Sequence, residues 1–393
     1  GVKMKRLFAA VIFICFTAVH TVCANQPEAV VTSAVPDLNL TAKSAVVMEA
    51  GSKTLLYEKN KEKELPPASV TKVMSLLLIF QELDAGKLEL KDEVTVSDHA
   101  ASMGGSQVFL EPGEKQDVET LIKCVVVSSA NDAVVALAEH ISGSEDAFVQ
   151  RMNQEAKKLG MKHTVFKNAC GLDEAGHVTT AYDIALMSRE LTVKHPDVFQ
   201  YTKIWMDSFT HDTKKGKTKF QLSNTNKMIR QYNGCTGLKT GSTSAAKFCL
   251  SATATRNQVD LIAVVMASDD SKSRTQDASA LLDYGFANCQ VIEDITTAKE
   301  IGTIEVEKGK KDMVAYPEKI TTKITRIKQK EENLKKEIKI YSLTAPVKKG
   351  QIIGKIIYKD GSKTAAQTDI KSMESIEKMD YLSSLHKIAK AYF

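Results

Sequence analysis

The chain has no Cys-x-x-Cys pair, no histidines at metal-ligand spacing, no internal repeat and no low-complexity tract. Of its seven cysteines, Cys15 and Cys23 lie in an N-terminal segment expected to be removed, leaving Cys124, Cys170, Cys235, Cys249 and Cys289. An odd set without paired spacing implies neither a zinc site nor a full disulfide framework. Cys124 and Cys249 sit in apolar runs and read as small buried hydrophobes; any pairing among Cys170, Cys235 and Cys289 is left open. The eight histidines offer no ligand set, so neither a metal nor another cofactor is expected. Charge is nearly balanced, with a net +5 and 26% charged residues. Lysine runs occur late (Lys308–Lys311, Lys328–Lys330, Lys335–Lys336), but acids interleave with them and aromatic residues do not. They read as solvated strand ends and turns, which argues against a nucleic-acid partner.

Long apolar runs are scarce too. Leu7–Val19 falls short of the about 20 residues a bilayer-spanning helix needs. It follows the positive Met4-Lys5-Arg6 and ends at the small-residue site Val22-Cys23-Ala24, so residues 1–24 read as a secretory signal and the protein is expected to be exported. The remaining length, in a chain that is 43% hydrophobic, has room for two domains.

Residues 25–40 are rich in Pro, Ala, Val and Thr and read as a linker. Ser44–Val47 and Ser52–Tyr57 flank an Ala50–Lys53 turn, the pattern of a hairpin. Pro66-Pro67 blocks helix, after which Val70, Met74, Leu77, Leu78 and Leu83 predict a buried helix from Ser69 to about Ala85. Further helices are predicted over Val118–Val127 and Asp132–Ile141, and buried strands over Leu250–Ala254 and Asp260–Met266. After about residue 290 the pattern changes to alternation: Ile301–Val306, Ile320–Ile327, Glu337–Leu343 and Gln351–Tyr358, with no helical run between them. This is a second, β-rich domain, residues 291–370. The segment 371–393 then returns to helical spacing: Ile376, Met379, Leu382, Leu385 and Ile388 form an apolar stripe beside Lys378, Lys387 and Lys390.

Three short strings carry chemistry: Ser69-Val-Thr-Lys72, Ser129-Ala-Asn131 and Lys239-Thr-Gly241. Residues three apart on a helix share a face, so Lys72 lies one turn from Ser69. A serine hydroxyl needs an adjacent base, and a buried lysine of lowered pKa can be one. Ser69 also opens its helix, where free N–H groups favour developing negative charge. Taken singly, Ser-Ala-Asn is an ordinary helix cap and Lys-Thr-Gly an ordinary turn. In this order, behind an export signal, they are the signature of a penicillin-recognising serine acyl-transferase.

With Pro67–Met74, Gly104-Gly-Ser-Gln107, Ser128–Ala133, Gly171–His177 and Thr236–Thr243, the chain resembles the low-molecular-mass penicillin-binding proteins that act as D-alanyl-D-alanine carboxypeptidases. The resemblance implies a mixed α/β (α+β), β-lactamase-like catalytic domain over residues 41–290 and the small all-β domain after it. It implies that Ser69 attacks the carbonyl between two terminal D-alanines of a peptidoglycan stem peptide, with Lys72 as base. Ser129 would relay a proton to the leaving amine and Asn131 would bond the substrate backbone. Lys239, Thr240 and Gly241, with Arg274 as partner, would bind the terminal carboxylate, and the N–H groups of Ser69 and Ser242 would form the oxyanion hole. β-Lactams would acylate the same serine. His177 reads as structural. The 371–393 helix resembles the tail by which this family lies on a membrane surface, which would hold the enzyme at the outer face of the cytoplasmic membrane.

Three positions depart from the family pattern: Ala130 in the middle string, Tyr182 where many relatives carry Arg, and Lys247 where a small residue is expected. The last two bear on substrate fit. Two other readings remain, a β-lactamase and a catalytically silent peptidoglycan-binding scaffold. No convincing Glu-x-x-Leu-Asn segment lies between Asn131 and Lys239 to drive fast deacylation, and the intact Ser69, Lys72, Ser129 and Lys239 argue against a silent protein.

Overall fold

A computed structural model describes residues 36–328 and 333–381. The expected signal segment and most of the expected linker lie outside the described residues. The end of that linker belongs to the fold. Leu40 is buried and its carbonyl accepts from Lys59 Nζ at 2.7 Å, while the Thr41 and Ala42 N–H groups donate to the Asp277 carboxylate.

The centre is a five-stranded antiparallel sheet in the order Leu55–Lys59, Ser44–Glu49, Val259–Ser268, Lys247–Arg256, Cys235–Thr243. Its inner strands are buried on both faces, which is why Asp260–Met266 reads as a nearly unbroken apolar run. The two faces still divide the side chains by alternation. Val46, Met48, Ile262 and Val264 meet the larger helical core, whereas Ala45, Val47, Leu261 and Val265 meet the Ser271–Asn288 helix.

The larger core is built around the Lys72–Asp84 helix, which is buried continuously from Lys72 to Phe80. A helix that is apolar nearly all round needs neighbours on every side. They include the Asn131–Ser142, Glu145–Leu159 and Ala181–Lys194 helices. The three predicted helices and two predicted strands all appear, with their ends shifted by a few residues.

The C-terminal domain begins without a linker: the Ser271–Asn288 helix runs directly into the strand Cys289–Thr297. That strand pairs with Lys319–Ile327, and a separate three-stranded sheet orders Leu334–Ile340, Ile352–Asp360 and Lys363–Lys371 around a core containing Ile324, Ile356 and Ile370. The expected strand Ile301–Val306 is not formed as such. Thr297 and Glu300 make a reciprocal capping box, so Ala298–Ile301 closes as a helical turn, and pairing is confined to a bridge from Glu305 to Met313 and the short strand Val306–Glu307.

The expected terminal helix is corrected at its start. Residues 371–380 contain no helix: Ile376 is buried in the β-domain core and bridges Val347, and Lys378 bridges Gly309. Ile376 thus belongs to that core, because its spacing fits a short edge pairing as well as a helical stripe. Residues 382–393, which hold the rest of the stripe, lie outside the described residues. Among the described residues no helix is long and apolar enough to cross a membrane.

Candidate active site

The break at Pro66-Pro67 leaves Ala68 in the left-handed region at φ +50°, and Ala68–Thr71 closes as a 3-10 turn leading into the Lys72–Asp84 helix. The turn presents Ser69, half-buried, with Lys72 Nζ donating to its Oγ at 2.9 Å. Lys72 has no accessible surface and donates twice more, to Asn131 Oδ1 at 2.6 Å and to the Cys170 carbonyl at 2.8 Å. Burial lowers its pKa to about 8, against the opposing pull of Cys170 and Asp132. A base that is neutral in a useful fraction of molecules near pH 8 can take the proton of Ser69.

Ser129 lies between two helices, at φ +62°. Its Oγ accepts from Lys239 Nζ at 2.8 Å, and Lys239 also donates to the Thr240 carbonyl at 3.0 Å. Burial holds the Lys239 pKa well below its ordinary value, with Lys72 and Arg274 as neighbouring cations adding to the shift. The Thr240 hydroxyl pairs with that of Thr225 at 2.7 Å.

Close packing brings these pieces together, and two glycines permit it. A Cβ on Gly241 would stand 3.0 Å from the Ser69 nitrogen, so the Cys235–Thr243 strand passes directly beside the nucleophile's turn. A Cβ on Gly171, whose φ is +91°, would stand 1.9 Å from the Ala68 carbonyl oxygen, so only glycine lets the segment carrying the Cys170 carbonyl reach Lys72. Thr243 Oγ1 closes the same side by donating to Asp173 at 2.7 Å. Exposed Gly104–Ser106 borders the cleft opposite, its Gly104 carbonyl accepting from Asn131 Nδ2 at 2.7 Å.

Ser69, Lys72, Ser129, Asn131, Lys239, Thr240 and Gly241 therefore converge on one cleft. Ser242 follows on the same strand and is exposed. Arg274 reaches that strand from the Ser271–Asn288 helix. Its Nη1 donates to the Gly241 and Cys249 carbonyls at 3.4 Å, and its Nε is buried without a hydrogen-bond partner.

His177 is buried, with its Nε2 3.0 Å from the Thr71 hydroxyl, and burial lowers its pKa to about 4. Tyr182 sits in the first turn of its helix with its N–H donating to the Lys61 carbonyl. Lys247 starts the strand next to the cleft at φ +55°, its amine 4.0 Å from Asp269. All five cysteines in the described region are free thiols. Among the described residues no three His, Cys, Asp or Glu side chains are grouped to hold a metal.

Two contributors escape the sequence reading. The Cys170 carbonyl is a backbone group and has no residue signature. Asp132 lies inside a recognised string, yet nothing in the string shows that its side chain is wholly buried.

A family profile described as D-alanyl-D-alanine carboxypeptidase matches residues 29–270, more than half of the chain. The chain belongs to the D-alanyl-D-alanine carboxypeptidase family. A second profile, the C-terminal domain of penicillin-binding protein 5, matches residues 294–378. The D-alanyl-D-alanine carboxypeptidase DacF of Bacillus subtilis is 40% identical over 348 residues, 88% of each chain. Penicillin-binding protein 5 of Haemophilus influenzae superposes with a TM-score of 0.64 at 32% identity, covering 86% of this chain and 98% of that one. The DD-transpeptidase of Streptomyces K15 matches at a TM-score of 0.59 and 28% identity, covering 63% of this chain and 98% of its own. The catalytic domain thus has the penicillin-binding, β-lactamase-like fold, and the β domain is an addition to it. The protein is a serine-type peptidase that removes the terminal D-alanine of peptidoglycan peptides, and family membership makes it a β-lactam target.

Proposed function

We propose that Ser69 is the acylated nucleophile and that the two buried lysines divide the remaining work. Neutral Lys72 takes the Ser69 proton as Oγ attacks the carbonyl between the terminal D-alanines. An ester bond forms to Oγ, the C–N bond breaks, and D-alanine leaves as an amine that receives its proton by way of Ser129. The Ser69 and Ser242 N–H groups stabilise the oxyanion, where one such donor is worth roughly 3–4 kcal/mol. Lys239, Thr240 and Gly241, with Arg274 behind them, hold the substrate's carboxylate, and Asn131 holds its backbone. Water then hydrolyses the ester. The observation carrying this reading is the Lys72 Nζ to Ser69 Oγ contact of 2.9 Å at a buried amine.

The test is a pair of incubations, one with labelled penicillin and one with a stem pentapeptide. A lasting acyl-enzyme together with D-alanine release is expected, both lost in Ser69→Ala. Persistent labelling of Ser69→Ala would sink the assignment, and rapid turnover of penicillin would favour a β-lactamase.

The export signal at 1–24 and a membrane-surface tail belong to the same proposal, which puts the enzyme outside the cytoplasmic membrane, facing the wall. The apolar spacing of Leu382, Leu385 and Ile388 beside Lys387 and Lys390 supports the tail. Its start moves past Met379, since Ile376 is committed to the β domain. Deleting residues 382–393 should abolish binding to anionic vesicles while peptide hydrolysis continues. Equal vesicle binding by the truncated and full chains would refute the tail.

A further inference from the structure

Asp132 is a charged side chain with no accessible surface, one residue after Asn131 at the start of the Asn131–Ser142 helix. Its carboxylate accepts from the N–H groups of Val108 at 3.1 Å, Leu110 at 3.0 Å and Ala133 at 2.9 Å. Two amides that converge on one anion from positions 108 and 110 leave the residue between them in an unusual conformation. Phe109 has φ +62°, in the left-handed region that bulky side chains avoid, and the residue is 62% exposed. Such a concavity of backbone amides is an anion-binding nest, and here the anion is the protein's own.

The same loop, two to four residues upstream, supplies both groups that orient Asn131. The Gly104 carbonyl accepts from its Nδ2, and the Ser106 carbonyl accepts from its backbone N–H, each at 2.7 Å. With its amino group committed to Gly104, Asn131 presents Oδ1 to Lys72. We propose that Asp132 is a positioning residue for the reaction: by fastening the 108–110 backbone it holds the carbonyls that aim Asn131 at Lys72.

The charged and titratable groups around the pair are few. Asp132 and the Cys170 thiol favour the Lys72 cation, while Lys239 opposes it from the neighbouring strand. The Cys124 thiol on the Val118–Val127 helix faces Asp132. Burial pushes the Asp132 carboxyl up, and the amides of Leu110, Val108 and Ala133 pull it down. The inference rests on Lys72 being the base, so the test separates the two.

The measurement is the pH profile of kcat/KM for D-alanine release by the full chain. In Asp132→Asn the anion facing Lys72 is lost, the lysine gives up its proton more easily, and the acid limb moves to lower pH by about half a unit to one unit. The plateau falls about tenfold because Asn131 is no longer aimed. Adding Phe109→Gly, which adopts positive φ freely, restores the plateau and Tm but leaves the limb displaced. A uniform loss in Asp132→Asn with the limb unmoved would overturn the proposal. If that variant does not fold, Phe109→Val in the otherwise native chain decides: a β-branched residue resists this conformation, so the plateau should fall several-fold with the limb in place. An unchanged plateau would overturn the proposal. A wild-type profile without any limb near pH 8 would instead remove Lys72 as base, and the Phe109→Val effect on penicillin labelling would still judge the loop.

Discussion

Lys72 and Lys239 are both sealed from solvent, and each donates to a serine hydroxyl, at 2.9 and 2.8 Å. Their surroundings differ. Lys72 has three oxygen acceptors, and burial lowers its pKa only to about 8 because Cys170 and Asp132 pull the other way. Lys239 has two acceptors, faces Lys72 and Arg274, and has no ion-pair partner among the described residues. Burial alone penalises both cations alike; the neighbours assign the roles. A lysine offset by an anion and three oxygen acceptors can gain and lose a proton near pH 8. A lysine crowded by other cations gains most when an external carboxylate arrives, since that partner offsets its desolvation.

The largest effect should come from removing the one property that Lys72 alone needs, the ability to lose a proton. Lys72→Arg keeps the charge and stays protonated, so acylation by penicillin should drop by about 1,000-fold or more, the size of a general-base contribution. Retained acylation would erase the distinction between the lysines. Next is the partner of Lys239. A pentapeptide ending in a carboxamide should be cleaved about 100-fold less efficiently than the acid, which is the scale of a buried charge pair broken on one side. Equal turnover would show that the second cation binds no carboxylate.

A smaller effect appears in stability. Lys72 has a folded pKa of about 8 against an ordinary value of 10.5, so between those pH values the unfolded chain binds a proton that the folded chain does not. Unfolding free energy should therefore rise with pH across this window, by up to about 3 kcal/mol. Lys72→Met should flatten the rise in urea titrations, and Lys239→Met should flatten what is left, since its pKa is lowered in the same direction. A wild-type curve flat from pH 8 to 10 would contradict the buried-amine picture. The smallest effect concerns Tyr182. It is held by Lys61 and takes no part in the bonds of the cleft, so Tyr182→Arg should change kcat/KM by less than about twofold.

Much of this was legible in the chain because the relevant signals are local. Ser69 and Lys72 are fixed relative to each other by helical spacing, and the Pro66-Pro67 break marks where the turn must begin. The doubly buried strand Asp260–Met266 announces itself by its unbroken apolar run. What could not be read depends on distant segments meeting. The Cys170 carbonyl reaches Lys72 only because Gly171 packs on Ala68, a contact between residues about a hundred positions apart. The burial of Asp132 depends on the 108–110 loop folding over it. Ile376 misled for a related reason: an apolar residue every third or fourth position serves a helix, but one such residue also serves a short edge bridge, and the β-domain core captured it.

The division of labour between the lysines is tested most directly by one experiment: the pH profile of kcat/KM for the acid pentapeptide and its carboxamide, measured side by side on the wild-type enzyme. Both substrates should show the same acid limb near pH 8, set by Lys72, with the carboxamide curve lower at every pH by about two orders of magnitude. A limb that moves with the substrate's terminal group, or two curves of equal height, would contradict the assignment of base to Lys72 and carboxylate clamp to Lys239.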